Sequence, residues 1–419
     1  MSAARTTSTP RVLVLSRNYP NLATPLLGVW VQEIVKHAAE YCEQKVVAPI
    51  PYCPPFPGIG RDFKRFRGVP RRRRDGPVEI IHPRFAVPPG SRFAAVDAAS
   101  YWAAVAPRVR RLRRTFPFDL IHAHFSYPDG VVATLLGRRY GVPVVITEQA
   151  PWGPWLDAQP LVRRQAMWAA RQAAQHVAIS SSVQRSIVEA TGVSENVVVI
   201  PDGVDGNVFT LRPPGAPRNT GQILFVGVIR PIKGVDVLLE ALRSLVAAGR
   251  DVRLTLVGEG HYRAYRREQS RLEREVELDP ELEPRVDFVG AKPIDELVRL
   301  MQTSAVLVLP SRAESLGMVL IEALACGTPV VATRCGGPED IVTDRVGRLV
   351  EPDNPQALAT AIGDVLDRSS EYDPAALRSH ALEHFGIDVV VNRLLDLYGD
   401  VLGRRVLPTA KPVAAGGSM

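Results

Sequence analysis

The sequence has few cysteines and no long apolar run, and both absences narrow the class of protein. Its four cysteines are too few to hold together a disulfide-stabilised fold of 419 residues, and their spacing does not match a zinc pattern. We therefore expect reduced thiols in a soluble, cytoplasmic protein. No apolar run reaches the ~18 residues that a membrane-spanning helix needs. The segment Val12–Leu15 is too short for the apolar core of a signal peptide.

Signatures of dinucleotide and metal binding are also missing. No G-x-G-x-x-G opens either half of the chain, which disfavours a dinucleotide oxidoreductase. No D-x-D pair stands in an obvious loop, and the pair His122 and His124 lacks a third metal ligand at suitable spacing. We expect neither a metal nor a bound cofactor. The net charge of +7 is weak evidence about partners, because arginine is abundant throughout.

What the chain does contain is a globular composition arranged in two β/α series. Apolar residues make up 46% and charged residues 23%, and the length predicts two or three domains. Short branched apolar runs alternate with helical patterns on both sides of a Pro- and Gly-containing linker at residues 211–221. This alternation predicts two doubly wound α/β domains.

The most informative stretch runs from Ala305 to Ala332. Ala305–Leu309 is typical of a strand that is buried on both faces. Ser315 is placed to cap a helix from Leu316 to about Ala325, Gly327 then ends it, and a second strand begins at Val330. This order predicts one parallel βαβ unit.

Two residues of that helix indicate ligand binding. Gly317 lies in the first turn, where unpaired backbone amides can receive an anion at close range. Glu322 is surrounded by apolar neighbours, so its carboxylate needs hydrogen-bond donors, which sugar hydroxyls would supply. The alternative is that Glu322 meets an arginine, while Glu314 at the mouth of the loop is merely solvated.

The spacing E-x7-E around this glycine, followed by G-T-P-V-V-A-T, closely resembles the donor-sugar site of the retaining family 4 glycosyltransferases of GT-B fold. The resemblance implies that Glu314 contacts the donor sugar and that Glu322 holds the ribose of the nucleotide. It further implies that the diphosphate is bound by the loop amides, carried here by Ser315, Leu316, Gly317, Met318 and Val319.

Other parts of the donor site are implied by the same resemblance. Arg230 and Lys233, in R-P-I-K-G after a strand, resemble the diphosphate clamp of the family, although a solvated loop is the alternative. Val289 lies near the end of the strand Val286–Gly290, which would face the nucleobase. Gly28 would pack close to the diphosphate, or it would serve only the packing of a helix on a strand.

The first half carries a weaker resemblance. The strand Asp119–Phe125 ends in H-x-H, and in the family the second histidine, here His124, approaches the donor sugar and the acceptor. A histidine that often follows the next strand is replaced by Glu148, which would make a substitute acceptor-side contact.

The resemblance implies two Rossmann-like, doubly wound domains that face a cleft, with a C-terminal helix that crosses back to the first domain. We predict a disordered tail at residues 1–10, an acceptor-side domain at 11–205 and a nucleotide-sugar domain at 206–385. The returning helix would occupy residues 386–405, and a second disordered tail would occupy residues 406–419.

The implied function is transfer of a sugar, with retention, from a nucleotide-diphosphate sugar to a glycan or lipid-linked acceptor of bacterial polysaccharide or cell-wall type. A sugar-nucleotide epimerase of the same fold is an alternative. Basic clusters at Arg61–Arg74 and Arg108–Arg114, accompanied by Phe56, Phe63 and Phe66, further predict peripheral binding to the anionic inner face of the cytoplasmic membrane. The same clusters leave nucleic-acid binding open as an alternative from another class, although no nucleic acid is expected.

Overall fold

The computed structural model describes residues 9–52, 61–87, 94–215, 219–258, 263–404 and 406. Its contacts divide the chain into two compact units. The first unit comprises residues 1–203 and 390–419, and the second comprises residues 204–389. The junction between them therefore lies upstream of the linker at residues 211–221 that the composition indicated.

In the first unit, short apolar segments form a sheet because their branched side chains pack well when buried on both faces. The strands are β1 (Arg11–Leu15), β2 (Glu43–Val47), β3 (Ile50–Pro51), β4 (Arg72–Asp75), β5 (Val78–Ile81), β6 (Arg84–Phe85), β7 (Leu120–His124), β8 (Val144–Glu148), β9 (Gln175–Ala178) and β10 (Val197–Val199). Eight of them form one sheet in the order β10-β9-β8-β7-β1-β2-β5-β4, and β3 pairs with β6 separately. Only the edge strand β4 runs antiparallel to its neighbour within this described sheet.

Helices cover this sheet, and the helices of this unit are α1 (Val29–Ala38), α2 (Ala94–Leu112), α3 (Val131–Tyr140), α4 (Pro154–Asp157), α5 (Pro160–Gln172) and α6 (Ser181–Thr191). An apolar core is buried between strands β1, β7 and β8 and the helices α2, α3 and α5.

The second unit repeats the doubly wound pattern with a six-stranded parallel sheet, whose order is β13-β12-β11-β14-β15-β16. Its strands are β11 (Gln222–Val226), β12 (Arg253–Val257), β13 (Val286–Gly290), β14 (Val306–Leu309), β15 (Val330–Thr333) and β16 (Gly347–Val350). Its helices are α7 (Val235–Ala247), α8 (Arg263–Glu277), α9 (Ile294–Thr303), α10 (Met318–Ala325), α11 (Pro355–Asp367) and α12 (Pro374–Phe385). The predicted βαβ unit is present as β14-α10-β15.

The final helix, α13 (Ile387–Leu402), belongs to the first unit from Val390 onward, as expected for a helix that crosses back. The hydroxyl of Tyr398 lies 2.6 Å from Nδ1 of the buried His122, and Arg404 pairs with Asp119 at 2.8 Å. None of the helices in the described ranges combines the length and apolarity needed to cross a bilayer.

One expectation about the first basic cluster is wrong. The arginine run of this cluster lies mostly in the edge strand β4 (Arg72–Asp75), which is paired with β5. Phe66 was expected to be available for insertion at a membrane surface. It is instead 7% exposed and packs against Ile50 and Val69, because a short 3₁₀ segment turns its ring inward. The other two aromatic positions, Phe56 and the side chain of Phe63, lie outside the described residues.

Candidate active site

The candidate donor site lies where two loops of the second unit meet. The order of this sheet reverses at β11, which pairs with β12 on one side and β14 on the other. The loops that follow β11 and β14 therefore emerge side by side, at the switch point where α/β sheets bind ligands. An amide-to-carbonyl bond of 2.8 Å from Arg312 to Ile232 joins the two loops.

Two residues predicted to bind different parts of a donor contact each other in this protein. Nζ of Lys233, from the loop after β11, forms an ion pair with Oε2 of Glu314, from the loop after β14. Both side chains are only 15% exposed, and the hydroxyl of Ser311 also lies 3.3 Å from the same carboxylate oxygen. The ion pair thus places a cation and a carboxylate next to each other. A ligand that separates them would make both groups available for binding.

Arg230 contributes a second cation to the loop after β11. It precedes the short 3₁₀ turn Pro231–Lys233 and is half-buried. Its guanidinium carbon lies 5.9 Å from the centroid of the Tyr265 ring, and its buried Nε has no partner among the described residues. A buried nitrogen without a partner is unfavourable, so this donor is suited to a ligand that carries negative charge.

An arginine that the sequence did not indicate fixes this arrangement. Arg312 donates to both carboxylate oxygens of Asp236, at 3.0 and 2.8 Å, and to Asp353 at 2.6 Å. It also donates to the carbonyl of Pro231, inside the turn that carries Lys233. The guanidinium fork thereby holds the two loops of the site in register. Its position in the loop after a buried strand was the only sequence signal for it.

The amino end of α10 differs from the prediction in one respect. The helix begins at Met318, not at Leu316, and the residue that precedes its first turn is Gly317 rather than Ser315. Gly317 has φ 97°, a left-handed conformation that a residue with Cβ rarely adopts, and no side chain caps the helix. The first-turn amides are thus left without a side-chain partner, as an anion site requires.

Glu322 lies in the second turn of α10, where burial raises its carboxyl pKa to about 7. The helix residues Leu320, Ile321, Ala323 and Leu324 around it are buried. No described side chain forms a hydrogen bond or an ion pair with Glu322. The alternative interpretation, in which Glu322 meets an arginine, therefore finds no such arginine among the described residues. A carboxylate in this state gains strongly from hydroxyl donors on a ligand.

Val289 lies at the same edge of the sheet. It is half-buried near the end of β13, just before Gly290, whose carbonyl accepts a hydrogen bond of 2.9 Å from the amide of Gly258 after β12. Contact between Val289 and a nucleobase stays a prediction.

The first unit has a pocket of its own, of about 330 Å³, at the carboxyl ends of β1, β7 and β8. Arg17 and Asn18 line it from the loop after β1, Phe125 and Ser126 follow β7, and Trp152 follows β8. Phe125 has φ 71°, a strained conformation for a residue with Cβ, and such strain is concentrated at ligand sites. Arg17 and Trp152 were not identified from the sequence.

Glu148, the predicted acceptor-side residue, lines this pocket. Its Oε2 accepts hydrogen bonds from the amide of Ser126 at 3.0 Å and from the indole nitrogen of Trp152 at 2.9 Å, and Nε2 of His176 lies 4.0 Å away. Burial raises the pKa of the Glu148 carboxyl. The carboxylate therefore orients the indole of Trp152 at the pocket wall, in addition to any contact with a ligand.

His122 and His124 lie on one face of β7, as predicted, with ring centroids 4.5 Å apart. His122 is held by Tyr398 and by the hydroxyl of Thr147, which lies 2.7 Å from its Nε2. His124 is 1% exposed, and neither of its ring nitrogens has a partner among the described residues. Burial, and to a lesser extent His122, hold the pKa of His124 well below its usual range, so its imidazole is neutral.

Gly28 precedes α1 with φ 80°, and a Cβ at this position would lie 1.8 Å from the carbonyl oxygen of Asn18. Only glycine fits, and it shapes the loop that delivers Arg17 and Asn18 to the pocket. The structure thus gives a backbone reason for this glycine, and its contact with a diphosphate stays a prediction.

Comparison with known proteins agrees with this geometry. Residues 220–368 match the family model described as glycosyl transferases group 1, and residues 97–207 match that of glycosyltransferase family 4. The chain is 31% identical over 301 residues to 2-deoxystreptamine glucosyltransferase of Streptomyces kanamyceticus, which covers 65% of this chain and 74% of the relative. The chain therefore belongs to the family 4 glycosyltransferases.

Other relatives match over a shorter stretch. D-inositol 3-phosphate glycosyltransferase of Acidothermus cellulolyticus is 34% identical over 236 residues, which cover 53% of this chain and 52% of that protein. The chain thus matches about half the length of this relative.

Solved structures share the fold over most of the chain. HepE of Anabaena in complex with UDP has a TM-score of 0.71 at 20% identity, and the match covers 94% of this chain and 100% of the HepE chain. Sucrose-phosphate synthase of Thermosynechococcus elongatus has a TM-score of 0.72, also at 20% identity and 94% coverage of this chain. The fold is GT-B, as predicted.

Proposed function

We propose that this protein is a retaining glycosyltransferase that uses a nucleotide-diphosphate sugar. The observation that carries the proposal is the convergence of Arg230, the Lys233–Glu314 pair and the amino end of α10 at the switch point of one sheet. The complexes of HepE with UDP and with UDP-glucose support a donor of this class.

In the proposed reaction the bond between the sugar and the diphosphate breaks while negative charge grows on the leaving phosphate. Arg230, Lys233 and the first-turn amides of α10 stabilise that charge electrostatically, and stabilisation of this kind often contributes more to catalysis than any other effect. Lys233 can turn to the diphosphate only by weakening its ion pair, which frees the carboxylate of Glu314 for the hydroxyls of the sugar. Glu322 accepts hydrogen bonds from the ribose.

The protein supplies no nucleophile in this scheme. The acceptor oxygen bonds to the anomeric carbon on the face that the diphosphate leaves, and the leaving phosphate accepts the proton of the acceptor hydroxyl, so the anomeric configuration is retained. These residues account for charge stabilisation without a metal, and the absence of a metal requirement stays a prediction. A role for His124 near the transferred sugar also stays a prediction. It is supported by the two ring nitrogens of His124, which have no partner among the described residues.

We propose further that the acceptor binds in the 330 Å³ pocket of the first unit. Trp152 offers an aromatic face of the kind on which a sugar ring stacks, while Arg17 and Glu148 offer polar contacts. The two curated relatives are named for D-inositol 3-phosphate and for 2-deoxystreptamine. The size of the pocket suits a single ring, which here would be the terminal unit of a glycan or lipid-linked acceptor in polysaccharide biosynthesis.

A panel of nucleotide sugars tests the donor assignment. A true donor should raise the unfolding temperature, since a ligand that binds only the folded state stabilises it. With that donor, release of nucleoside diphosphate should require an acceptor and should yield a product with the anomeric configuration of the donor, as read by NMR. Conversion of the donor to its epimer without any acceptor would refute transfer, and an inverted product would refute retention.

Peripheral binding to an anionic membrane is the finer proposal about location. Arg71, Arg72, Arg108 and Arg111 line one surface region of the first unit, and each basic residue near an anionic surface contributes about 1 kcal/mol. Because Phe66 is buried, charge rather than insertion of this ring must supply the attraction.

Co-sedimentation with vesicles at low and high salt tests this. Binding should require anionic lipid and should weaken as the salt concentration rises. It should also be weaker for the double variant Arg71→Ser/Arg72→Ser. Arg73 is left unchanged, because it donates to the carbonyl of Pro20 at 2.6 Å and its loss would disturb the fold. Equal binding to neutral vesicles would remove the proposal.

A further inference from the structure

A second and larger pocket of the first unit, of about 500 Å³, shares no residue with the acceptor-side pocket. One wall is the β4–β5 hairpin with the residues that follow it, and the opposite wall is the last turns of α2. Ligand pockets in proteins are commonly 300–1,000 Å³. The two arginine-rich segments of the sequence, which are more than thirty residues apart, meet in this pocket.

The charge in this pocket is far from balanced. Six cations line it, Lys45, Arg71, Arg72, Arg84, Arg108 and Arg111, and Glu79 is the single carboxylate among its lining residues. Lys45 and Arg72 both pair with that carboxylate, at 2.7 and 3.3 Å. Arg84 donates instead to the carbonyl oxygens of His82, at 3.0 Å, and of Val69.

The remaining cations, Arg71, Arg108 and Arg111, have no carboxylate partner among the described residues. Arg71 also repels its neighbour Arg84, since burial and then Arg71 lower the pKa of the Arg84 guanidinium. Such a cluster is unfavourable in isolation and is stabilised by an anion that bridges its members.

The position of Arg108 and Arg111 near the end of α2 does not by itself account for the cluster. Cations are favoured at a helix C-terminus on any face. Arg108 and Arg111 are three residues apart and so share the face that lines the pocket, together with Leu112 and Thr115. Arg110 and Arg114 are also exposed near the same helix end, but they do not line the pocket.

We propose that this pocket binds a phosphate-bearing ligand, at a site separate from the donor site. Planar guanidinium groups bind phosphate oxygens two at a time, and three guanidinium forks without a carboxylate around one volume suit a diphosphate or a phosphomonoester with further acceptors. The exposed ring of Tyr52 and the side chain of Leu112 give this ligand an apolar contact beside its charge. The inference does not depend on the proposed transfer reaction.

Titration calorimetry with inorganic pyrophosphate at low salt tests the site. The unchanged protein should bind two pyrophosphates, one in this pocket and one at Arg230 and Lys233. Arg108→Ser/Arg111→Ser should weaken one of the two sites by roughly 10-fold or more, since a hydrogen bond to a charged group contributes about 1.5–3 kcal/mol. Arg230→Ala should weaken only the other, so failure of the donor site and failure of this proposal are distinguishable.

The matched control is Arg110→Ser/Arg114→Ser, which removes the same charge from the same helix end. It should leave both affinities within about twofold, since neither residue lines the pocket and exposed charges at a distance are screened. All variants should unfold at the temperature of the unchanged protein. Equal weakening by the two double variants, or two unweakened sites in Arg108→Ser/Arg111→Ser, would overturn the proposal.

The source of the phosphate is decided by competition. Vesicles of phosphatidylcholine with phosphatidic acid present a phosphomonoester headgroup, and pyrophosphate should release the protein from them if a lipid fills the pocket. Unchanged vesicle binding in saturating pyrophosphate would assign the pocket to a soluble phosphate compound.

Discussion

The raised pKa of Glu322 leads to a prediction in which stability and binding change in opposite directions. Burial moves the carboxyl pKa from 4.5 to about 7, so between these values the folded protein keeps a proton that the unfolded chain releases. Stability is therefore lost as the pH rises through this window, and the loss is complete above about pH 7. The loss amounts to about 3 kcal/mol, because a carboxyl pKa that is higher by one in the folded protein corresponds to 1.36 kcal/mol.

The substitution Glu322→Gln removes the titrating group and keeps the shape. We expect the stability of the variant relative to the unchanged protein to be about 2 kcal/mol higher at pH 8 than at pH 5.5, from the same linkage relation. For a unit of this size that is roughly 4–8 °C in unfolding temperature. The comparison between two pH values cancels any packing effect of the amide.

Binding should respond in the other direction. At pH 8 the variant should bind nucleoside diphosphate roughly 10- to 100-fold more weakly, because charge-assisted bonds to the ribose are lost. In the unchanged protein the affinity should fall about 10-fold from pH 8 to pH 6 as Glu322 takes up its proton. The phosphate of the ligand also titrates, with a pKa near 6. The affinity of the Glu322→Gln variant at the two pH values measures this contribution, which can then be subtracted.

Glu314→Gln is the comparison for Glu322→Gln. Because Glu314 neutralises Lys233 in the ligand-free protein, the variant should bind the bare diphosphate as well as before or more tightly, while sugar transfer falls. Calorimetry with the bare nucleoside diphosphate distinguishes the proposed roles of Glu314 and Glu322. Equal loss of affinity in both variants, or a stability difference between Glu322→Gln and the unchanged protein that does not rise from pH 5.5 to pH 8, would refute the reasoning.

Two further predictions concern the clamp and the returning helix. Arg230→Ala or Lys233→Ala should lower kcat by ~10²-fold or more without loss of the fold, and wild-type turnover with a confirmed donor would exclude the clamp. Tyr398→Phe should destabilise the first unit by about 1–3 kcal/mol in urea denaturation, because it leaves Nδ1 of the buried His122 unpaired. Tyr140→Phe should have little effect, since its buried hydroxyl has no partner among the described residues, and a similar loss in both variants would contradict the role of that bond.

Much of the local structure around the candidate donor site was predictable, because its signals are local. The apolar surroundings of Glu322, the glycine before α10 and the turn at Gly327 depend on neighbours within two helical turns, where spacing alone fixes which side chains share a face. The same locality explains the error at Ser315. A serine next to a helix is a good cap in general, but the left-handed backbone at Gly317 moves the start of the helix two residues further on.

Contacts between distant segments were not predictable in this way. Lys233 and Glu314 are 81 residues apart and meet only because β11 and β14 are neighbours in the sheet. Phe66 has the sequence surroundings of an exposed aromatic residue, and only the folded chain brings Ile50 and Val69 over its ring.

The sequence by itself determined the two α/β series and the family, and it predicts a chemical role for each residue of the candidate donor site, since these follow from residue type and short-range spacing. Only the tertiary structure decided which charges neutralise one another and which are left unpaired. Glu79 neutralises Lys45 and Arg72, whereas Arg71, Arg108 and Arg111 remain without a carboxylate among the described residues. The physical reason is that Coulombic pairing depends on distance in space, and strand order rather than chain order sets that distance.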